Sequence, residues 1–203
     1  MKKIKGGLAF GKVGVLLGGR SNERDVSLKS GRMVYEALLR QGIDAELFDP
    51  AEQPLSALNE RGFERVFIAL HGRWGEDGCI QGALELLGLP YTGSGVLASA
   101  LCMDKWRTKI VWQEEDIPVA DYVMLNSSTS WDEVPRHLGL PLMIKPVREG
   151  SSIGMSKVER MQDLEMAWRK AYERDTQVMA ERFISGMELT VAVVNRRAFP
   201  LIR

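Results

Sequence analysis

Residues 13–19 read Val-Gly-Val-Leu-Leu-Gly-Gly, an apolar run stopped by two glycines. A short run of this kind, bounded by turn residues, suits a strand buried on both faces of a parallel sheet. Working outward, a helix is expected over residues 23–40, where Val26, Met33, Val34, Ala37 and Leu38 share one face and Gly42 stands at the stop position. Residues 45–48 and 66–70 read as a second and third strand, and residues 80–87 as a further helix before Gly88 and Pro90. Strands alternating with helices predict a parallel sheet covered by helices. Ligands of such sheets bind beyond the carboxyl ends of the strands. Gly18-Gly19 and His71-Gly72 follow directly on strand ends and are the first places to look for chemistry.

Near residue 103 the pattern changes. Residues 105–115 look helical and are closed by Pro118; a Ser/Thr-rich loop at 126–130 precedes a short helix. Residues 142–145 and 155–158 read as strands on either side of a Gly/Ser-rich segment, and a helix over 161–174 leads to a strand at 178–181. Residues 188–194 and 199–202 are strand-like. A domain boundary falls near 100–104, and the sequence carries no internal repeat and no low-complexity segment.

Composition narrows the function classes. The 203 residues hold 27 Lys+Arg against 27 Asp+Glu, with 45% hydrophobic and 27% charged residues. This is the balance of a globular protein and not of a disordered one. Zero net charge with no basic stripe argues against nucleic acid, whose backbone needs uncompensated Lys and Arg. A small anionic ligand needs only a few donors and stays open. Cys79 and Cys102 lie in no metal-ligand spacing and read as buried thiols in a reducing cytosol. The basic start resembles a signal peptide, but its apolar stretch is short and broken by Lys12, so no export segment is expected. No run approaches the roughly 20 apolar residues that span a bilayer. The expectation is a cytoplasmic protein without a membrane partner.

Several segments pair a chemical reading with a plainer one. Glu149-Gly150-Ser151-Ser152-Ile153-Gly154 offers backbone N–H groups and hydroxyls with little bulk, as a phosphate cradle needs; it also suits a flexible hairpin loop. Lys145 ends an apolar strand, where an ammonium wants an anion or reaches into water along its stem. Lys105 has the same two readings. Glu181 and Glu188 flank a strand–turn–strand region and suit ribose hydroxyls or an adenine amino group, or simply water. His71-Gly72-Arg73-Trp74-Gly75-Glu76-Asp77-Gly78 is a loop able to hold a substrate, or acids that favour a helix start. Ser21-Asn22-Glu23-Arg24-Asp25 likewise supplies helix-capping residues.

Together these segments form a specific order. Gly18-Gly19, Ser21, Glu23 and Val26-Ser27-Leu28 are followed by HGRWGEDGCIQG from residue 71, LPYTGSGVLASALCMDK from 89, LPLMIKPVREGSSIGMSKV from 140 and ERFISGMELTVAV from 181. From about Lys12 to the last residue the chain resembles the D-alanine–D-alanine ligases, ATP-grasp enzymes of bacterial cell-wall synthesis. The resemblance implies an α/β protein. A Rossmann-like parallel-sheet domain over 12–103 would precede the first part of an ATP-grasp α+β domain over 104–203. It implies ATP and Mg²⁺ as cofactors, D-alanine as substrate, an acyl-phosphate intermediate and a homodimer. Residue by residue, it implies that Glu23 pairs with the ammonium of the first D-alanine, with Ser27 and His71 beside that substrate. Ser151 joins the Glu23 network, so Glu23 and Ser151 carry the catalytic role. Lys105 and Lys145, with Gly150, Ser151 and Ser152, hold the phosphates of ATP; Glu181, Phe183, Ile184 and Glu188 line the adenine and ribose pocket.

Asp25 stands where the family more often has glutamate, Trp74 where a small residue is expected, and Met187 where proline is frequent. Family members are longer. The lid with its tyrosine, the oxyanion-site arginine and the Mg²⁺ ligands are therefore expected beyond Arg203. By the same token, the 203-residue chain alone is expected to be inactive. Two alternatives stand beside this reading: a non-catalytic nucleotide- or partner-binding remnant, and a ligase using D-lactate or D-serine as acceptor.

Overall fold

The structure, a computed structural model, describes residues 10–203. The export-signal reading rests mostly on residues 1–9, which lie outside the described residues. Among the described residues no helix is long and apolar enough to cross a membrane.

The run that opened the sequence reading is strand β1, Val13–Leu16, buried along its whole length. It pairs in parallel with β2 (Ala45–Phe48) on one side and with β3 (Arg65–Ile68) on the other, giving the order β2-β1-β3. The chain leaves β1 for one neighbour and then crosses to the other. The loops after β1 and β3 therefore flank the reversal point where open α/β sheets hold ligands. Helix α1 (Arg24–Arg40) packs on one face, and a short α2 (Ala57–Glu60) and α3 (Cys79–Leu86) on the other. Tyr91 adds a parallel bridge to Val66.

Helix α1 corrects one expectation. Val26 and Met33, read as core-facing, are 54% and 62% exposed. The buried positions are Ser27 and Gly31, continued by half-buried Val34 and Leu38. A Cβ at Gly31 would overlap the Cβ of Leu17. The helix thus approaches the sheet through its smallest residues, which carry no hydrophobic signal.

Helix α4 (Val96–Met103), absent from the sequence reading, leads into α5 (Lys105–Glu114). Between them Asp104 caps α5, its carboxylate accepting from the Arg107 N–H at 2.9 Å. The second unit is built on an antiparallel sheet of β4 (Tyr122–Leu125), β5 (Leu142–Pro146), β6 (Ser156–Val158) and β7 (Val178–Arg182), in the order β4-β7-β5-β6. Strand β4 and helix α2 also escaped the sequence reading.

Alternation sorts this sheet into two faces. Leu125, Leu142, Ile144, Val158, Val178 and Ala180 pack under α6 (Glu133–Leu138) and α7 (Leu164–Tyr172), with Val134, Leu138 and Leu164 completing the core. The helix expected over 161–174 starts as a 3-10 turn, Met161–Asp163, before α7. Tyr122, Met124, Met143, Lys145, Lys157, Met179 and Glu181 fall on the opposite face by register.

The last segment departs from expectation. In place of two strands over 188–194 and 199–202, it forms a hairpin of two-residue strands, β8 (Val193–Val194) and β9 (Arg197–Ala198), with a bridge from Thr190 to Ile202. Asn195 and Arg196 both take positive φ, as a two-residue hairpin turn of the mirror-image kind requires. Every side chain from Ile184 to Arg203 is exposed, so no core holds longer strands in register.

Candidate active site

Glu23 sits at the N-terminal boundary of α1 and makes no side-chain capping bond. Its carboxylate turns instead to the second unit, where Ser151 Oγ donates to Oε1 across 128 residues of sequence. A Cβ at Gly72 would strike Glu23 Oε2, and one at Gly150 would come within 3.2 Å of it. Two glycines and a serine therefore enclose a carboxylate whose residue is only 7% exposed. Among the described residues nothing donates to Oε2. A buried carboxylate with one oxygen unsatisfied favours a cationic partner.

His71, at the end of the third strand's loop, lies next to this carboxylate's enclosing glycine. Its Nε2 is 2.9 Å from Ser30 Oγ, and its Nδ1 is 3.4 Å from Glu76 Oε1. Ser21 Oγ donates to the His71 carbonyl at 2.7 Å and accepts from the Glu23 N–H at 3.1 Å, tying the two loops together. Ser27 is fully buried. Its hydroxyl accepts from Gly18 N–H at 2.9 Å and donates to the Ala69 carbonyl at 2.6 Å. Those two bonds stitch the ends of β1 and β3, and the structure gives Ser27 a positioning place behind the site.

A cavity of about 600 Å³ opens beside these loops, lined among others by Gly19, Ser21, Leu55, His71 and Trp74. Sequence reasoning missed a buried acid that holds two residues of this lining, Gly19 and Ala51, from behind. Asp49 accepts from Gly19 and Ala51 N–H groups at 3.0 and 2.9 Å and pairs with Arg24 at 2.7 Å. Burial pushes the Asp49 carboxyl up, but Arg24 and the two N–H groups outweigh it and hold it below the ordinary carboxylate value.

Trp74 lies on the cavity rim with φ 72°, the left-handed region where glycine is at home. The small residue expected there has this backbone reason. Trp74 is 51% exposed, and the Arg73 guanidinium lies over its ring. A side chain in this region costs about 1–2 kcal/mol, part of which glycine loses again to chain entropy. Trp74→Gly is therefore expected to leave stability unchanged or raise it by up to about 1 kcal/mol. A loss above 1 kcal/mol in urea denaturation would show that the indole packs.

The second unit supplies the cationic half. Lys145 on β5 and Lys109 on α5 grip the Glu181 carboxylate from both sides, at 2.7 Å to Oε2 and 3.0 Å to Oε1. Lys105 donates to the Val147 and Glu149 carbonyls. Burial, and then the neighbouring Lys145, push the Lys105 ammonium below its ordinary value. Three lysines gather here, and Glu181 pairs directly with two of them; the carboxylates of Glu149, Asp175 and Asp104 act on Lys105 from further off.

The loop at 149–154 stands over this cluster. Ser151 and Ser152 both take positive φ, and among the described residues the N–H groups of Gly150, Ser151, Ser152 and Gly154 meet no acceptor. Successive unpaired N–H groups form a concave anion site. The base of the loop is fixed by buried Asp175, which accepts from the Arg148 N–H at 2.9 Å and from Arg148 Nε at 3.0 Å.

Other expected residues sit apart. Phe183 lies under the Lys157 ammonium at 4.7 Å. Ile184 and Glu188 are exposed, and Glu188 pairs with none of the lysines. Cys79 and Cys102, expected buried, are both exposed: Cys79 opens α3 on the cavity rim, and Cys102 lies on α4. Sequence reasoning also missed Ser30 and Lys109. Lys109 follows Lys105 by four residues on one helix face, and that spacing was the available signal.

Two halves of one family model set match this chain. The D-ala D-ala ligase N-terminus model matches residues 44–94, and the D-ala D-ala ligase C-terminus model matches residues 111–202. The chain belongs to the D-alanine–D-alanine ligase family. It is 58% identical over 194 residues to the D-alanine–D-alanine ligase of Nitrosomonas eutropha, covering 96% of this chain and 63% of that one. It is 57% identical over 197 residues to the Bordetella pertussis ligase, covering 95% of this chain and 62% of that one. The crystal structure of the Bacillus anthracis ligase superimposes with a TM-score of 0.83 at 33% identity, covering 94% of this chain and 63% of that chain. The same ligase complexed with ATP gives 0.82 at 31% identity, covering 94% and 64%. The chain thus spans a little under two thirds of the length of the ligases it matches.

Proposed function

We propose that the ligase carrying this sequence joins two D-alanine molecules at the expense of ATP, for peptidoglycan precursor synthesis in the cytoplasm. In this reading residues 12–103 hold the first substrate and residues 104–203 begin the nucleotide-binding domain. The observation that carries it is the Glu23 carboxylate, enclosed by Gly72, Gly150 and Ser151 with Oε2 open. That oxygen suits the ammonium of an amino acid. Lys105, Lys145 and the unpaired N–H groups of Gly150, Ser151 and Ser152 suit a triphosphate on the other side of the same loop.

The chemistry follows from the two charges. A carboxylate oxygen of D-alanine bonds to the γ-phosphorus as the bond to the ADP oxygen breaks, giving an acyl phosphate and ADP. The amine of a second D-alanine then forms the peptide C–N bond, phosphate departs, and the amine gives up a proton. Glu23 and Ser151 orient the first D-alanine; His71, held by Ser30 and Glu76, borders it. Among the described residues no group of three or more His, Cys, Asp or Glu is gathered to hold a metal ion. The donors among the described residues do not fit Mg²⁺. The homodimer is part of the same reading and rests on family membership.

Glu23→Gln keeps the shape of the side chain and removes its charge. Losing a charge-assisted bond of about 1.5–3 kcal/mol is expected to raise the KM for the first D-alanine about ten- to a hundredfold. The KM for ATP should stay nearly unchanged. Steady-state kinetics of the ligase carrying this sequence check it. An unaltered D-alanine KM would return Glu23 to the role of a helix-start acid.

A further inference from the structure

The lysine cluster contains one buried cation to which the reaction gives no task. Lys109 has a side chain only 9% exposed, against 20% for Lys145. Its ammonium donates to the Ala120 carbonyl at 3.1 Å, pairs with Glu181 at 3.0 Å and lies 5.2 Å from the centre of the Tyr122 ring. Its three neighbours are all protein groups, and little of it meets solvent. Lys145, by contrast, has Glu181 as its one polar partner among the described residues, and it lies close enough to Lys105 to lower that ammonium's proton affinity.

The two lysines on Glu181 are therefore unequal: one anchored, one free to move. An arriving polyphosphate competes with Glu181 for Lys145. The outcome depends on what Glu181 keeps when Lys145 leaves. With Lys109 in place, the carboxylate retains a full ion pair and a fixed orientation. Without it, the carboxylate loses its last cation in a poorly solvated place, which is costly.

We propose that Lys109 is a positioning residue that retains Glu181 and so releases Lys145 to bind the ligand's phosphates. This rests on the reading of the lysine face as a polyphosphate site and deepens it. The device is an exchange of counter-ions: Glu181 holds Lys145 in the ligand-free site, and Lys109 makes it possible for Glu181 to let go.

A double-mutant cycle on the full chain tests this, with inorganic tripolyphosphate and ATP as probes, binding read by amide chemical shifts and folding by thermal unfolding. Lys109→Met is expected to weaken tripolyphosphate about tenfold, a typical coupling between sites, because Glu181 then has only Lys145. In the Glu181→Gln background there is no charge left to retain. Adding Lys109→Met there should change tripolyphosphate affinity by less than about twofold. A residue that merely supports the fold would weaken binding equally in both backgrounds, and that result overturns the proposal. Equal binding by Lys109→Met and the parent overturns it as well. If Lys109→Met alone does not fold, the comparison of Glu181→Gln with the double variant decides: a further loss of tenfold in the double variant contradicts the device. If the parent binds neither probe, the nucleotide reading fails and the proposal falls with it. Binding by the parent with no difference between the backgrounds sinks the proposal alone.

Discussion

Glu181→Ala is expected to destabilise the chain by about 3 kcal/mol or more, among the largest losses any single surface-to-core carboxylate here can produce. The carboxylate holds Lys145 at 2.7 Å and Lys109 at 3.0 Å, with all three side chains at most 20% exposed. Removing it leaves two ammonium groups in a site that also contains Lys105. Breaking a buried pair costs far more than the pair contributes against an apolar replacement, because the remaining charge has little solvent around it. At this chain length the loss corresponds to a fall in Tm of about 6–12 °C. Glu165→Ala is the control: its partner Arg169 is one turn away on the exposed face of α7, and it should cost under about 0.5 kcal/mol. Urea denaturation of both variants checks the contrast. A Glu181→Ala loss as small as the control's would mean that water already reaches the cluster.

Gly31→Val is the second large effect. The Cβ of any residue at this position would overlap Leu17 Cβ and lie 3.1 Å from Leu17 Cδ1. Leu17 is buried at the end of the central strand, so it has nowhere to yield. Overpacking of this kind costs about 3 kcal/mol, and a β-branched residue adds its own penalty in a helix. Gly31→Ala meets the same overlap but recovers about 1 kcal/mol of helix propensity, so its net loss should be smaller, about 1–2 kcal/mol. A valine variant as stable as the parent would show that α1 can lift from the sheet freely.

These two residues also show what was legible in the sequence. Strand β1 was plain because an unbroken apolar run between glycines has few alternatives. Helix α1 was plain as a helix but not in its facing, since Ser27 and Gly31 make the close approach and large apolar residues do not. Helix α4 escaped because Gly93, Ser94 and Gly95 read as loop and its apolar residues run around the whole helix, with Leu97 81% exposed. Strand β4 showed no alternation for the same physical reason: Tyr122, Val123 and Met124 are half-buried on both faces.

The site was less legible than the fold. The approach of Glu23 to Ser151 spans 128 residues, and no local period can register it. The family resemblance supplied both residues, and the geometry supplied the reason they meet. The grip of Lys145 on Glu181 depends on strand register, in which Lys145 stands opposite Met179 and Glu181 follows two residues on, on the same face. Asp49 reads as an ordinary loop acid until Gly19 and Arg24 are seen to converge on it.

In the proposed function Glu23, His71 and Ser151 form one site for D-alanine between the two units. Titration of the isotope-labelled chain with D-alanine, followed by amide chemical shifts, decides whether they do. Saturable shifts are expected at Glu23, His71, Gly72 and Gly150–Ser152, weaker shifts with L-alanine, and none for the Glu23→Gln chain at the same concentrations. Shifts that leave these residues untouched, or that persist in full when Glu23 is neutral, would contradict that site.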